Sequence, residues 1–185
     1  MHVHIGSQIM DPESFRAAVR VAGEFGEVAR YDIGGGLGVD YVAEDAAPSI
    51  EDYLDAVTAT AAAYLPPTAQ LLIEPGRSLV APAGISLYRV TTVKRNDRTF
   101  VAVDGGMSDL IDVALTGQPF DAIIPTRMHD PRGTEADVVG RQCESGDLLV
   151  PSARLQDPVR GDLLAIPTTG AYGYTLANNY NGALK

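Results

Sequence analysis

Residues 33–38 read Ile-Gly-Gly-Gly-Leu-Gly, and four glycines in five positions limit what the chain can build here. Ordering a glycine costs more backbone entropy than ordering any other residue. A run of them marks a tight turn or a place where something approaches the backbone too closely for side chains. A dinucleotide fingerprint, Gly-x-Gly-x-x-Gly, fails because its third glycine position is Val39. A P-loop fails because no lysine lies nearby. Two readings remain: a strand-to-helix turn with no ligand, and a cradle of backbone N–H groups for an anion such as phosphate.

The run sits inside a strand–helix alternation. "HVHI" (2–5) reads as a short strand. Asp11 and Pro12 then fit the N-cap and first position of a helix whose apolar face is Phe15, Ala18, Val19, Ala22 and Phe25, with Gly26 as its stop. "RYDI" (30–33) is a second strand, running into the glycines. Ser49 caps a second helix, with Glu51 and Asp52 in its first turn and Tyr53, Ala56, Val57, Ala61 and Tyr64 on its apolar face, ending at Pro66-Pro67. "AQLLI" (69–73) is a third strand, apolar enough to be buried on both faces. Such alternation implies parallel strands with right-handed crossovers, and binding residues gather where those strands end. All three end in small or polar runs: "GSQ" (6–8), "GGGLG" (34–38) and "EPGR" (74–77). One shared site follows.

Past Arg77 the texture changes. "ISLYRVTTVKRNDRTFVAVDGG" (85–106) reads as two strands joined at "RNDR", and "ADVVG" (136–140), "DLLVPSARL" (147–155) and "GDLLAI" (161–166) as further strands, so this half is expected to be all-β. The expected domains are 1–78 and 79–185. A chain of 185 residues that is 45% hydrophobic can bury a real core. A net charge of −10 argues against nucleic acid as a partner. No apolar run is long enough to span a membrane, and Met1 leads into "HVHIGSQ" rather than a secretory leader. With Cys143 as the single cysteine, a cytoplasmic location is the simple expectation.

Several residues could carry chemistry. Gly34, Gly35, Gly36 and Gly38 offer N–H groups; Ser7 and the backbone of Gly76 could add donors. Glu74 emerges from an apolar strand and calls for a partner, either Arg77 three residues on or a protonated ring nitrogen. His4, at a strand end, could stack on a flat ligand. Cys143 and Glu144 lie in "RQCESGD", and Tyr172 lies among small residues in "GAYGYT".

Together, "HVHIGSQ", "DIGGGLG", "EPGRSLV", "VDGGMSDLI", "CESGD" and "GAYGYTLANNYN" resemble, in order and rough spacing, the fold-type III pyridoxal-phosphate decarboxylases, and most of all those acting on diaminopimelate. The resemblance implies an α/β plus all-β protein: the C-terminal part of a (β/α)8 barrel over 1–78, then a β-domain, both incomplete. It implies pyridoxal 5'-phosphate as cofactor. His4 would stack on the ring. Ser7, Gly34, Gly35, Gly36, Gly76 and Tyr172 would hold the phosphate. Glu74 would face the pyridine nitrogen and Arg77 a carboxylate of a small amino-acid substrate. Cys143 and Glu144 would act catalytically with His4, reaching across a homodimer; Glu144 and Tyr172 would also line the substrate pocket. No metal is implied. The reaction implied is loss of CO2 from meso-diaminopimelate to give L-lysine.

Two departures qualify that reading. The family's cofactor-bearing lysine precedes the His motif, whereas the two lysines here are Lys94, in the β-hairpin, and Lys185. The chain is therefore expected to be a fragment, inactive by itself. After "SDLI", the family's arginine and tyrosine positions hold Asp112 and Thr116. An anion there repels a distal carboxylate, which leaves open a different amino-acid substrate, with Arg127 or Arg132 as replacement cations. A non-catalytic protein of this fold is the other alternative.

Overall fold

The computed structural model describes residues 1–184; Lys185 lies outside the described residues. The chain divides into two compact units. One comprises Met1–Asp40 and Glu44–Val80; the other comprises Tyr41–Ala43 and the residues from Ala81 on.

In the first unit α1 spans Pro12–Glu24, β1 Arg30–Asp32, α2 Ile50–Tyr64, β2 Gln70–Leu72 and α3 Gly76–Val80. Asp11 accepts the Glu13 N–H and Pro12 occupies the first turn of α1, while Ser49 accepts the Asp52 N–H at the start of α2. β1 and β2 pair in parallel, Tyr31 opposite Leu71. On the other side of β1 the "HVHI" segment is held by a single parallel bridge, His2 to Asp32, flanked by Val3 N–H to Asp32 O and Asp32 N–H to Met1 O, both 2.9 Å. The expected strand is thus reduced to one bridge. Past Val3 the His4 side chain turns to Gly35 and the chain swings away at Gly6 (φ 139°).

Phe15 and Tyr53 meet edge to face at 4.7 Å between ring centres, and Val19, Ile33 and Val57 are fully sequestered with them. Each such side chain contributes about 1.5–3 kcal/mol on burial. Four sequence expectations fail here. Phe25 is 76% exposed because α1 ends one residue before it, and Tyr64, on the last turn of α2, is also exposed, its place on the buried face taken by Thr60. β2 is only half-buried, since it pairs with β1 alone. The glycine run leads into no helix: it continues extended, Leu37 bridging Ile9, and α2 begins only at Ile50.

In the second unit β3 (Ser86–Arg95), β4 (Thr99–Val103), β5 (Thr134–Val139), β6 (Leu148–Leu155) and β7 (Leu163–Ile166) form one sheet in the order β6-β5-β4-β3-β7. Every pairing is antiparallel except β4 with β5. Val101, Val103, Val138, Leu149, Leu155, Leu164 and Ile166 fill its buried face. Tyr41 packs edge to face on Phe120 at 4.9 Å. Two single helical turns, α4 (Asp112–Thr116) and α5 (Gly173–Leu176), accompany the sheet, α4 closed by Gly117 in the left-handed region.

Candidate functional site

The ends of the three parallel stretches of the first unit meet. Glu74 N–H bonds Gly34 O at 2.8 Å, Ile9 N–H bonds Gly36 O at 2.8 Å, and Gly35 N–H bonds His4 Nδ1 at 3.2 Å. An imidazole nitrogen that accepts an N–H carries no proton, so the ring hydrogen of His4 resides on Nε2. Gly34 N–H is taken by Asp32 Oδ1 at 2.9 Å. A Cβ on Gly34 would strike Val3 O, on Gly35 Glu74 O, and on Gly36 Gly6 O. The glycines therefore make room, first of all, for the backbones of the neighbouring strand ends.

Glu74 and Arg77 do not pair as their spacing suggests. Glu74 is 57% exposed and receives its hydrogen bond from His2, Nε2 to Oε2 at 3.2 Å. α3 begins at Gly76 and carries Arg77 to the other strand end, where Nη2 donates to Ser7 Oγ at 3.0 Å. His2 is the residue that sequence reasoning missed. The available signal was its spacing of two from His4, which puts both on one face of an extended segment. Donor atoms of His2, Asp32 and Glu74 all lie within 4.8 Å of one another.

This donor set suits a flat ligand with a phosphate. Ser7 and Arg77 converge on one point, and the space where a Gly76 side chain would stand is open. Ser78 Oγ is buried without a hydrogen-bond partner among the described residues. With the Gly34, Gly35 and Gly38 N–H groups taken within the fold, a guanidinium, two hydroxyls and the N–H groups of Gly36 and Gly76 are the donors a dianion would use. At the other end the Glu74 carboxylate is bonded to His2 through Oε2.

Cys143, Glu144 and Tyr172 belong to the second unit. Cys143 is exposed and free. Gly146 N–H, then Tyr180 Oη and Ser145 Oγ, donate to Glu144 and hold its carboxyl below the ordinary carboxylate range; the same carboxylate pushes the Tyr180 phenol up. The loop bearing them is set by buried Asp147, whose carboxylate accepts Met107 and Gln142 N–H groups, each at 2.6 Å. Tyr180 and Asp147 were present in the quoted motifs but carried no separate sequence signal. Tyr172 has a left-handed backbone (φ 64°), rare for an aromatic residue and costing about 1–3 kcal/mol. Gly84 and Gly170 touch backbone to backbone just before it, so those glycines serve packing. The two replacement cations are committed elsewhere. Arg127 is paired with Asp162, and Arg132 with Asp121 and the carbonyls of Ala122 and Arg154. Asp112 is buried at the start of α4. No helix among the described residues is long and apolar enough to cross a membrane.

A family model described as pyridoxal-dependent decarboxylase, C-terminal sheet domain, matches residues 9–170. The diaminopimelate decarboxylase of Mycobacterium tuberculosis (strain ATCC 25618 / H37Rv) is 40% identical over 205 residues, covering 98% of this chain and 46% of its own length. That of Bacillus subtilis (strain 168) is 39% identical over 196 residues, covering 98% and 45%. Among solved structures, diaminopimelate decarboxylase from M. jannaschii in complex with L-lysine superposes with a TM-score of 0.87 at 33% identity, over 98% of this chain and 44% of that one. The Helicobacter pylori enzyme complexed with L-lysine gives 0.85 at 31%, over 97% and 46%. The chain spans about half the length of the curated relatives it matches.

Proposed function

Because the chain belongs to the pyridoxal-dependent decarboxylases, we propose that it forms the C-terminal half of an enzyme that removes CO2 from meso-diaminopimelate to give L-lysine. The observation that carries this reading is the meeting of His4, the glycine turn, the Ser7–Arg77 pair and Glu74 at three parallel strand ends. Residues 1–78 are then the last strands and helices of the barrel and 79–185 the β-domain. Neither Lys94, in β3, nor Lys185 matches the family's cofactor-bearing lysine, so that lysine comes from the half of the relatives that this chain does not cover. The complete enzyme is then this chain together with that half.

Pyridoxal 5'-phosphate, when bound, supplies a ring that accepts the electron pair left on the α-carbon as CO2 departs. The residues of this chain do the rest. Glu74 holds a proton on the ring nitrogen through Oε1. His4, its Nδ1 pinned by Gly35, lies against the ring. Ser7, Gly36, Gly76 and Arg77 bind the phosphate, while Gly34 and Gly35 bring the turn close to it. Cys143 and Glu144 serve the site of a second copy in a homodimer, Glu144 as an ionised carboxylate facing substrate. Tyr172 closes the pocket. The enzyme works in the cytoplasm on a small free amino acid.

Glu74→Gln in the complete enzyme tests the reading. Decarboxylation should fall about a hundredfold while cofactor remains bound. An unchanged rate would remove Glu74 from the chemistry. Asp112 supports a second substrate. If an amino acid lacking the distal carboxylate is turned over faster than diaminopimelate, the acid at that position sets specificity.

A further inference from the structure

We propose that His2 is a positioning residue that aims the Glu74 carboxylate, an inference that rests on the role assigned to Glu74 above. Glu74 is an exposed glutamate with three rotatable side-chain bonds, and its strand fixes only its backbone, through Glu74 N–H to Gly34 O. A carboxylate free to rotate would spend little time facing a ring nitrogen. His2 restrains it, Nε2–H donating to Oε2 at 3.2 Å. His2 can hold that carboxylate because its own backbone is anchored. The parallel bridge to Asp32 and the two 2.9 Å bonds around it fix His2 beside β1. β1 in turn pairs with β2, which leads into Glu74. The side chain thus crosses β1 to reach the far strand. Asp32, beneath the crossing, has Oδ1 occupied by Gly34 N–H. Oε2 is committed to His2 and Oε1 is left for the ligand. His2 and His4, two residues apart on one face, divide the work: one imidazole pins the glycine turn and the other pins the acid.

The test is a double-mutant cycle in the complete, cofactor-loaded enzyme: wild type, His2→Phe, Glu74→Gln and both together. His2→Phe keeps a ring of similar size without a donor. It should lower kcat about tenfold with an unchanged KM, and shift the absorption band of the bound cofactor in the direction Glu74→Gln shifts it. In the Glu74→Gln background it should cost nothing further. His2→Gln, which restores an N–H donor, should recover most of kcat. If His2→Phe fails to fold, His2→Ala takes its place in the same comparison. An equal loss in both backgrounds, or an unchanged kcat and spectrum, overturns the positioning role while leaving Glu74 in place. A silent Glu74→Gln variant overturns the parent reading, and this inference with it.

Discussion

Arg77 reaches across the strand ends to Ser7, Nη2 to Oγ at 3.0 Å, and leaves Glu74 three residues behind it to His2. The two charges of "EPGR" therefore take different partners. Because Ser7 and Arg77 converge, Arg77→Met in the complete enzyme should weaken cofactor binding at least tenfold, about the worth of one charge-assisted hydrogen bond. KM for the amino acid should change much less. Cofactor titration alongside steady-state kinetics reads both. The opposite pattern would assign Arg77 to a substrate carboxylate.

Gly35→Ala should be poorly tolerated. Its Cβ would meet the Glu74 carbonyl oxygen, a backbone atom that can yield only by moving the chain just past β2. The expected cost is about 1–3 kcal/mol, as for other overpacked sites, with a parallel loss of cofactor affinity. Thermal unfolding and the same titration check it. Gly76→Ala, with open space beside it, should leave stability nearly unchanged.

Tyr180→Phe removes one donor from Glu144. The Glu144 carboxyl, held low by Gly146 N–H first and by Tyr180 and Ser145 after it, should rise toward its ordinary value. An acid ionised at lower pH in the folded state stabilises the fold above its ordinary range, and that contribution fades as pH falls through the folded value. The substitution should therefore move the acidic limb of kcat/KM to higher pH and leave the plateau at neutral pH in place. A pH–rate profile of both proteins decides. An unmoved limb would show that Glu144 is not the group it reports.

Arg127→Met should destabilise the second unit in a pH-dependent way. The Arg127 guanidinium holds the nearly buried Asp162 carboxyl below its ordinary range. The pair's contribution is present above that range and is lost as pH falls through the depressed value. The melting temperature should drop at neutral pH, and the gap from wild type should close in acid. A constant gap at every pH would mean that Arg127 acts through its hydrogen bonds to the Gln156 and Asp157 carbonyl oxygens rather than through Asp162.

Tyr53→Phe runs the other way. The Tyr53 hydroxyl is buried without a hydrogen-bond partner among the described residues, and burial, with Asp32 nearby, pushes its titration up to about 12. Removing an unpaired buried hydroxyl while keeping the ring against Phe15 should stabilise the protein by up to about 1 kcal/mol in a denaturant titration.

Local chemistry was legible in the sequence. Asp11-Pro12 and Ser49 announced both helix starts, and the β3–β4 hairpin was visible at its turn. What depends on distant chain was not. The 3–4 spacing that placed Phe25 and Tyr64 on apolar faces cannot say where a helix stops or whether a neighbour covers its last turn. The i, i+3 spacing of Glu74 and Arg77 suggested a pair, but their partners, His2 and Ser7, come from the opposite end of the first unit. The glycine run was correctly marked as a place of close approach. In the structure the nearest visitors are the chain's own carbonyls.

The pairing of β3 with β7 has a temporal meaning. Ser86 finds Ile166 only after everything between them has been synthesised, so the last strand of the sheet closes the free side of its first. Until residues 163–166 leave the ribosome, β3 offers an open row of backbone donors and acceptors beside exposed Leu87, an invitation to a strand from another nascent chain. A chain released before Leu163 would lack the strand that closes that side, whatever its other residues had already built.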